Sequence, residues 1–477
     1  MIYLITISIY LFTLIGLGVY KSRKIKTQSD FSVAGRTLTP WVLVGTMLAT
    51  WIGTGSILGN AGKAYQTGFA ALMLPLGGVL GIIILTQIAG KVRAFEKFTV
   101  PEIIGDRYGS KARILSVIAL VMAYMVIVSY QFNAGGAVLT TVLQDNQGNS
   151  LISAQTGTVI AAIFIIAYTM LAGLVSVAYT DVANGIIMTL ALVIAFPIFW
   201  LKAGGWNGME HSFTQMGKPE HMQFWGVYSG MDILNFCLPP FLLVLGDANM
   251  YQRFFASKDA KGAKQATTVL VFVIALIEIM IIASAWVSSS LIPDAVNGRH
   301  VLIYAAHSFL PPFIGAIMMT TIVGIIISTA DSYLLVPATT LMRDIYQTYI
   351  NPKVNETKAV LLSRLLVLGL GILAYFVSLG FAKSAGFFER ALYAYTIYGA
   401  AITPALVAAL FWEKASSTGA VASIISGTVM TLLWKEVSFF QTMLPNGMYQ
   451  SIDEVLPAIL VSIIALVGGS ILYPNKR

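Results

Sequence analysis

The sequence predicts an all-α integral membrane protein with about 13 transmembrane helices. Three observations carry this. Of the 477 residues, 57% are hydrophobic and only 10% are charged, whereas a soluble globular chain carries about 25% charged residues to cover its surface. The mean hydropathy is +0.80. Runs of the roughly 20 apolar residues needed to cross a bilayer recur along the whole chain. They lie near residues 2–20, 41–62, 69–91, 113–142, 155–174, 180–201, 231–255, 266–292, 303–342, 358–380, 388–411, 417–435 and 455–473. Disordered, coiled-coil and disulfide-scaffold classes are excluded by the same composition.

The first run, from Ile2 to Tyr20, lacks a basic leader and a small-residue cleavage site, so it is expected to stay as a span. The run at 303–342 is too long for one crossing and is expected to begin with a short helix outside the membrane. The run at 113–142 is expected to tilt or protrude. Thirteen crossings put the termini on opposite sides. With the N-terminus outside, 22 of the 29 basic residues fall in inner stretches and 7 elsewhere. The positive-inside rule therefore predicts N-terminus out and C-terminus in. That rule also accounts for the net charge of +8, which in a soluble chain would suggest nucleic acid. Short loops point to a plasma (inner) membrane of bacterial style.

Several chemistries are excluded. Cys237 is the single cysteine, so no intrachain disulfide exists, and the four histidines show no ligand spacing. There is no phosphate-binding glycine loop for ATP-driven transport. No catalytic triad, metalloprotease helix or dinucleotide fingerprint occurs either. An enzyme is not expected, and neither is a nucleic-acid partner or an obligatory protein partner.

Polar residues at membrane depth carry the remaining signal, because a carboxylate there costs roughly 2.5–3.5 kcal/mol on insertion scales. In the second run, Ala49-Thr50-Trp51-Ile52-Gly53-Thr54-Gly55-Ser56 places two glycines amid hydroxyl side chains. Each glycine weakens a helix by about 1 kcal/mol relative to alanine. Unwound backbone at this depth must line a cavity, and its carbonyls would suit a small hard cation; a tight small-residue helix contact is the alternative. In the seventh run, Pro239, Pro240 and Gly246 are expected to break the helix, with Asp247 and Asn249 just beyond. Two broken helices five spans apart fit an inverted repeat of five plus five helices with a site between the breaks.

In the ninth run, Ser328, Asp331 and Ser332 share one helix face and Thr329 flanks it. Backbone-bonded hydroxyls would explain Ser and Thr but not Asp331, so a coordination face is favoured. Tyr179-Thr180-Asp181 stands at the mouth of the sixth run, as an N-cap pair or an ion-release acid. Tyr130 and Gln131, followed by Asn133, are interhelical glue or solute contacts. Glu278, inside an all-apolar stretch, reads as a protonated or hydrogen-bonded structural acid.

The chain resembles the sodium:solute symporter family. The resemblance is carried by Ala-Thr-Trp-Ile-Gly at 49–53, Ala-Gly-Leu-Val-Ser-Val-Ala-Tyr-Thr-Asp at 172–181, Tyr-Gln-Arg at 251–253 and Ser-Thr-Ala-Asp-Ser at 328–332. It runs from about residue 30 to 412. It implies a leucine-transporter-like fold: residues 1–40 an extra helix and inner loop, 41–202 the first inverted repeat, 203–411 the second, and 412–477 two further helices. It implies a sodium ion held by the carbonyls of Ala49, Ile52 and Ile325 and the hydroxyls of Ser328 and Thr329. A second sodium ion at Asp181, Asp331 and Ser332 is left open, because two neighbouring carboxylates would either share a proton or hold a cation.

The choline-carrier-like branch is similar in Thr50-Trp51-Ile52-Gly53 and the two later motifs. Trp51 keeps one position of that branch's aromatic cage. Asp247 stands where the branch has a tryptophan, and Ile127 replaces an aromatic, so the cage is incomplete and a solute bearing an amine is expected. The implied pocket comprises Trp51, Gln131, Asp247 and Asn249, with Ser56, Tyr130 and Tyr398 at its margin. The activity so implied is sodium-coupled import of a small organic solute across the lipid bilayer by alternating access. The alternatives are proton coupling through Asp181, Asp331 or Glu278, and a transporter-like solute sensor.

Overall fold

A computed structural model describes all residues except 1, 24, 145–148, 295–297, 299, 382–385, 438–450 and 476–477. Lys24, Arg299, Lys383, Lys476 and Arg477, which enter the charge count above, lie outside the described residues. Among the described residues the structure is helical, with two isolated bridges instead of strands.

The membrane-length helices follow the apolar runs. They are α1 (Ile2–Ser22), α2 (Pro40–Trp51) with its continuation α3 (Ala61–Thr67), α4 (Leu76–Ala94), α5 (Ser110–Val142), α6 (Ala154–Lys202), α7 (Gly230–Gly246) with α8 (Ala248–Ala256), and α9 (Ala260–Ser289). Then come a short α10 (Val301–Ser308), α11 (Pro312–Thr340), α12 (Glu356–Phe381), α13 (Phe387–Ala401) with α14 (Thr403–Phe411), α15 (Ser417–Glu436) and α16 (Val455–Leu472). Eleven of these helices or continuous pairs are long and apolar enough to cross a membrane, or 12 with the bent pair around Trp51–Gly55. The 49-residue α6 would measure about 74 Å at 1.5 Å per residue, roughly two and a half times the hydrocarbon thickness. It is interrupted at Gly173 (φ 57°, ψ 171°), so it holds two of the expected crossings. The short helix expected ahead of the ninth crossing is α10.

Gly173 occupies a backbone region that side chains other than hydrogen rarely adopt. A Cβ there would also meet Ile25 Cδ1 at 2.8 Å. Gly173→Ala is therefore expected to lower stability by about 1–3 kcal/mol, read as a lower thermal midpoint of the purified protein.

Two expectations change here. Pro239 and Pro240 lie inside α7, and the break falls at Asp247 (φ −59°, ψ 111°). The carbonyls freed around it are capped by side chains: Leu242 O accepts from Thr403 Oγ1 (2.7 Å), Leu245 O from Tyr251 OH (3.0 Å) and Gly246 O from Tyr398 OH (2.8 Å). And Thr180 and Asp181 do not start a helix. The helix resumes after Gly173, and Thr180 bonds back to Ser176 and Val177.

The two broken crossings are stapled at one end. Leu38, just before α2, donates its N–H to Ala256 O (3.0 Å) and accepts from Lys258 N (3.0 Å), just after α8.

Candidate functional site: an oxygen cluster, a buried guanidinium and an aromatic cleft

The break in the second crossing begins at Ile52, whose backbone turns extended (φ −75°, ψ 96°). The chain resumes at Gly55 as a turn of π-helix to Asn60, bent by 50° from α2. Gly53 permits this stretch to touch α11: a Cβ there would stand 2.8 Å from Thr329 Cγ2 and 2.9 Å from its Oγ1.

That contact brings together the oxygens expected to hold an ion. Ser328 Oγ lies 3.4 Å from Ala49 O. Thr329 Oγ1 lies 3.3 Å from Ala49 O and 3.4 Å from Ile52 O. These are long for O–H···O hydrogen bonds, which cluster near 2.7–2.8 Å. A hard cation with oxygens about 2.4 Å away would set neighbouring octahedral ligands about 3.4 Å apart. Ser328 donates its proton to Asp181 Oδ1, which leaves its lone pairs facing the carbonyls. Ile325 is buried one turn before Thr329 on α11. Among the described residues no cluster of three His, Cys, Asp or Glu could hold a metal, so this site is built from carbonyls and hydroxyls.

Beside it lies a buried ionic group. Asp181 Oδ2 accepts from Thr46 Oγ1 (2.5 Å) and stands 3.9 Å from an Arg253 guanidinium nitrogen, both side chains 0% exposed. Arg253 also donates to Ser332 Oγ (2.5 Å) and Asn249 Oδ1 (3.2 Å), and Thr50 Oγ1 lies 3.3 Å from Ser332 Oγ. Asp331 accepts from Thr169 Oγ1 of α6 (2.5 Å). Arg253 ends the Tyr-Gln-Arg motif and opens one of the inner basic stretches, and the fold buries it. Its place at the end of an apolar run was the available signal, an ambiguous one.

On the Asn60 side of the break is a cleft of about 40 Å³. Trp51, Phe236, Phe388 and Tyr395 supply rings, and Ser56, Asn60 and Glu278 supply polar groups. Ser56 Oγ donates to Glu278 Oε1 (2.6 Å) and Asn60 Nδ2 to Oε2 (3.2 Å). Of the expected solute residues, Trp51 and Ser56 line this cleft. The other five do not. Asp247 caps α8 and accepts from Tyr124 OH. Tyr398 is engaged with Gly246 O and Ala248 N. Asn249 accepts from Arg253. Gln131 accepts from Thr54 Oγ1, and its Nε2 is buried with no hydrogen-bond partner among the described residues. Tyr130 is buried beside Tyr395. The acid in the cleft is Glu278 and not Asp247: helical spacing marks a polar residue inside an apolar run, but not which neighbouring helix it faces.

A model of the sodium:solute symporter family matches residues 31–427. The osmoregulated proline transporter OpuE of Bacillus subtilis (strain 168) is 23% identical over 489 residues, covering 97% of this chain and 93% of that protein. A sodium/proline symporter of Staphylococcus aureus (strain JH9) is 22% identical over 477 residues, covering 96% and 90%. The structure of a Na+-coupled sialic acid symporter, described as substrate-bound and outward-open, superposes with a TM-score of 0.81 at 18% identity, covering 100% of this chain and 99% of that one.

Proposed function

The chain belongs to the sodium:solute symporter family and is a multi-pass membrane protein working by sodium-coupled symport, and from that premise we propose that it imports a small amine-bearing organic solute by alternating access. The observation that carries the ion site is the 3.3–3.4 Å spacing of Ala49 O, Ile52 O and the Ser328 and Thr329 hydroxyls. Sodium bound there, with Ile325 O as a further ligand, ties the break after α2 to α11 and so fixes the wall of the cleft that carries Trp51 and Ser56. An amino acid is the favoured solute, in keeping with the proline named for two relatives. Gln131 and Tyr130 stand behind this wall, and Asp247, Asn249 and Tyr398 shape the second break. The two repeats, 41–202 and 203–411, flank the site, with 1–40 and 412–477 outside them. The N-terminus faces out, so the cleft opens outward.

One sodium ion is the favoured count. Arg253 already engages Ser332 and stands beside Asp181, where a second ion would need ligands. The membrane potential then contributes about 2.3 kcal/mol per charge per 100 mV to import.

Thermal stability of purified protein in sodium against potassium tests the site. The wild type is expected to be stabilised by sodium without solute. Ser328→Ala and Thr329→Ala should each shift the sodium response to about 10–100-fold higher concentration while the midpoint in potassium stays close to wild type. Unchanged sodium responses in both variants would remove this site from consideration.

A further inference from the structure

Glu278 is a carboxylate in the wrong place for a structural acid. It is 2% exposed and lies on the wall of the cleft. Of the ion pairs among the described residues, none involves it. Its hydrogen bonds come from Ser56, Asn60 and the Trp51 indole. A carboxylate has about four acceptor positions, so at least one stays open. A buried acid is stabilised by a proton or by an opposite charge, and a cationic solute would supply the latter.

The rest of the cleft suits a cation. Its rings come from Trp51, Tyr395, Phe236 and Phe388. Two of them already face an ammonium: Lys63 Nζ lies 5.4 Å from the centroid of Phe236 and 5.3 Å from that of Phe388. Lys63 is held by Glu389 at 3.6 Å. It stands seven residues after Ser56 and three after Asn60, on the same face of that helix. The rings and the helix face therefore run from a tethered ammonium at one end to an acid with no ion-pair partner among the described residues at the other. The volume of about 40 Å³ has room for about three water-sized groups, which suits a compact charged head. The remainder of a solute requires the rings to part.

We propose that Glu278 is the specificity-determining residue of the cleft: with Ser56 and Asn60 it pairs with a positively charged nitrogen of the solute, which the rings of Trp51 and Tyr395 enclose. The proposal rests on the symporter reading above and deepens it by assigning the residue that selects the solute's cationic nitrogen. A neutral sugar or a simple carboxylate would leave the acid unpaired and is selected against.

The test uses purified wild-type protein and thermal midpoints, with every probe run in both sodium and potassium. The probes are L-proline, glycine betaine and choline. Two controls keep a skeleton but lack the cationic nitrogen: tetrahydrofuran-2-carboxylate for proline and 3,3-dimethylbutan-1-ol for choline. At least one probe with a cationic nitrogen is expected to raise the midpoint by about 2 °C or more at saturation, and its partner lacking that nitrogen should not. Which probe succeeds separates an amino acid from a quaternary amine. Glu278→Gln should weaken the response at least about 30-fold, and Glu278→Asp should retain part of it. A control that stabilises as well as its cationic partner overturns the proposal, as does a Glu278→Gln protein with an undiminished response. So does a failure of all three cationic probes on the wild type. Sodium without solute is read separately: its failure to stabilise would remove the ion site, while the comparison of probe with control still decides Glu278.

Discussion

Arg253→Leu is expected to be strongly destabilised in potassium and to regain much of its stability as sodium is added. Arg253 is wholly buried, 3.9 Å from Asp181, and donates to Ser332 and Asn249. Removing one partner of a buried ion pair costs about 3–5 kcal/mol, because the remaining charge has lost both water and its counter-ion. Here the remaining charge can recruit another. With the guanidinium gone, Asp181, Asp331 and Ser332 present two acids and a hydroxyl released from Arg253 beside the first ion. The sodium dependence of the midpoint should therefore steepen from a one-ion to a two-ion response. Arg253→Leu with Asp181→Asn removes both charges and should recover part of the loss in potassium. A single variant as stable as wild type in potassium, or a double variant no better than the single, would mean that the guanidinium does not compensate the acid.

How much of this was legible in the sequence differs from residue to residue for physical reasons. The break in the second crossing was, because Gly53, Gly55 and their flanking hydroxyls contradict the demands of lipid within one short stretch. The face of Ser328, Asp331 and Ser332, with Thr329 flanking it, was, because helical periodicity alone places them together. The break in the seventh crossing was legible in its region but not its position. Pro239 and Pro240 fit inside α7, and the chain turns at Asp247, where Tyr398, Tyr251 and Thr403 satisfy the freed carbonyls. Those partners lie up to 161 residues away, and no local pattern announces them. That Glu278 and not Asp247 lines the cleft was illegible for the same reason. A lone acid in an apolar run declares that it has a partner, but whether that partner is a tyrosine, a serine or a solute depends on which helix packs opposite. The burial of Arg253 was not legible, because a basic residue at the end of an apolar run reads the same whether water or Asp181 faces it.

Gly53→Ala is expected to remove most of the sodium response. A Cβ at 53 would stand 2.8 and 2.9 Å from Thr329 Cγ2 and Oγ1, closer than real side chains approach. Thr329 cannot swing clear, since it is β-branched, helical and 3% exposed. Either the break recedes, carrying Ile52 O with it, or Thr329 rotates and carries away its hydroxyl. Both movements dismantle the oxygen spacing of 3.3–3.4 Å. Alanine also favours helix over the unwound turn by about 1 kcal/mol, and so opposes the exposed carbonyls directly. Sodium affinity should fall about 10–100-fold, the range seen when metal ligands lose their positioning. The midpoint in potassium should drop by the equivalent of only about 1–3 kcal/mol of overpacking. Gly55→Ala supplies the contrast, since its Cβ would meet Tyr395 OH at 2.9 Å, a cleft residue and not an ion ligand. That variant should keep its sodium response and lose the response to the cationic probe. Two variants, two residues apart, would thus separate the ion from the solute. If both lose sodium alike, the break acts as one mechanical unit, and the division of the site into an oxygen cluster and a cleft is wrong.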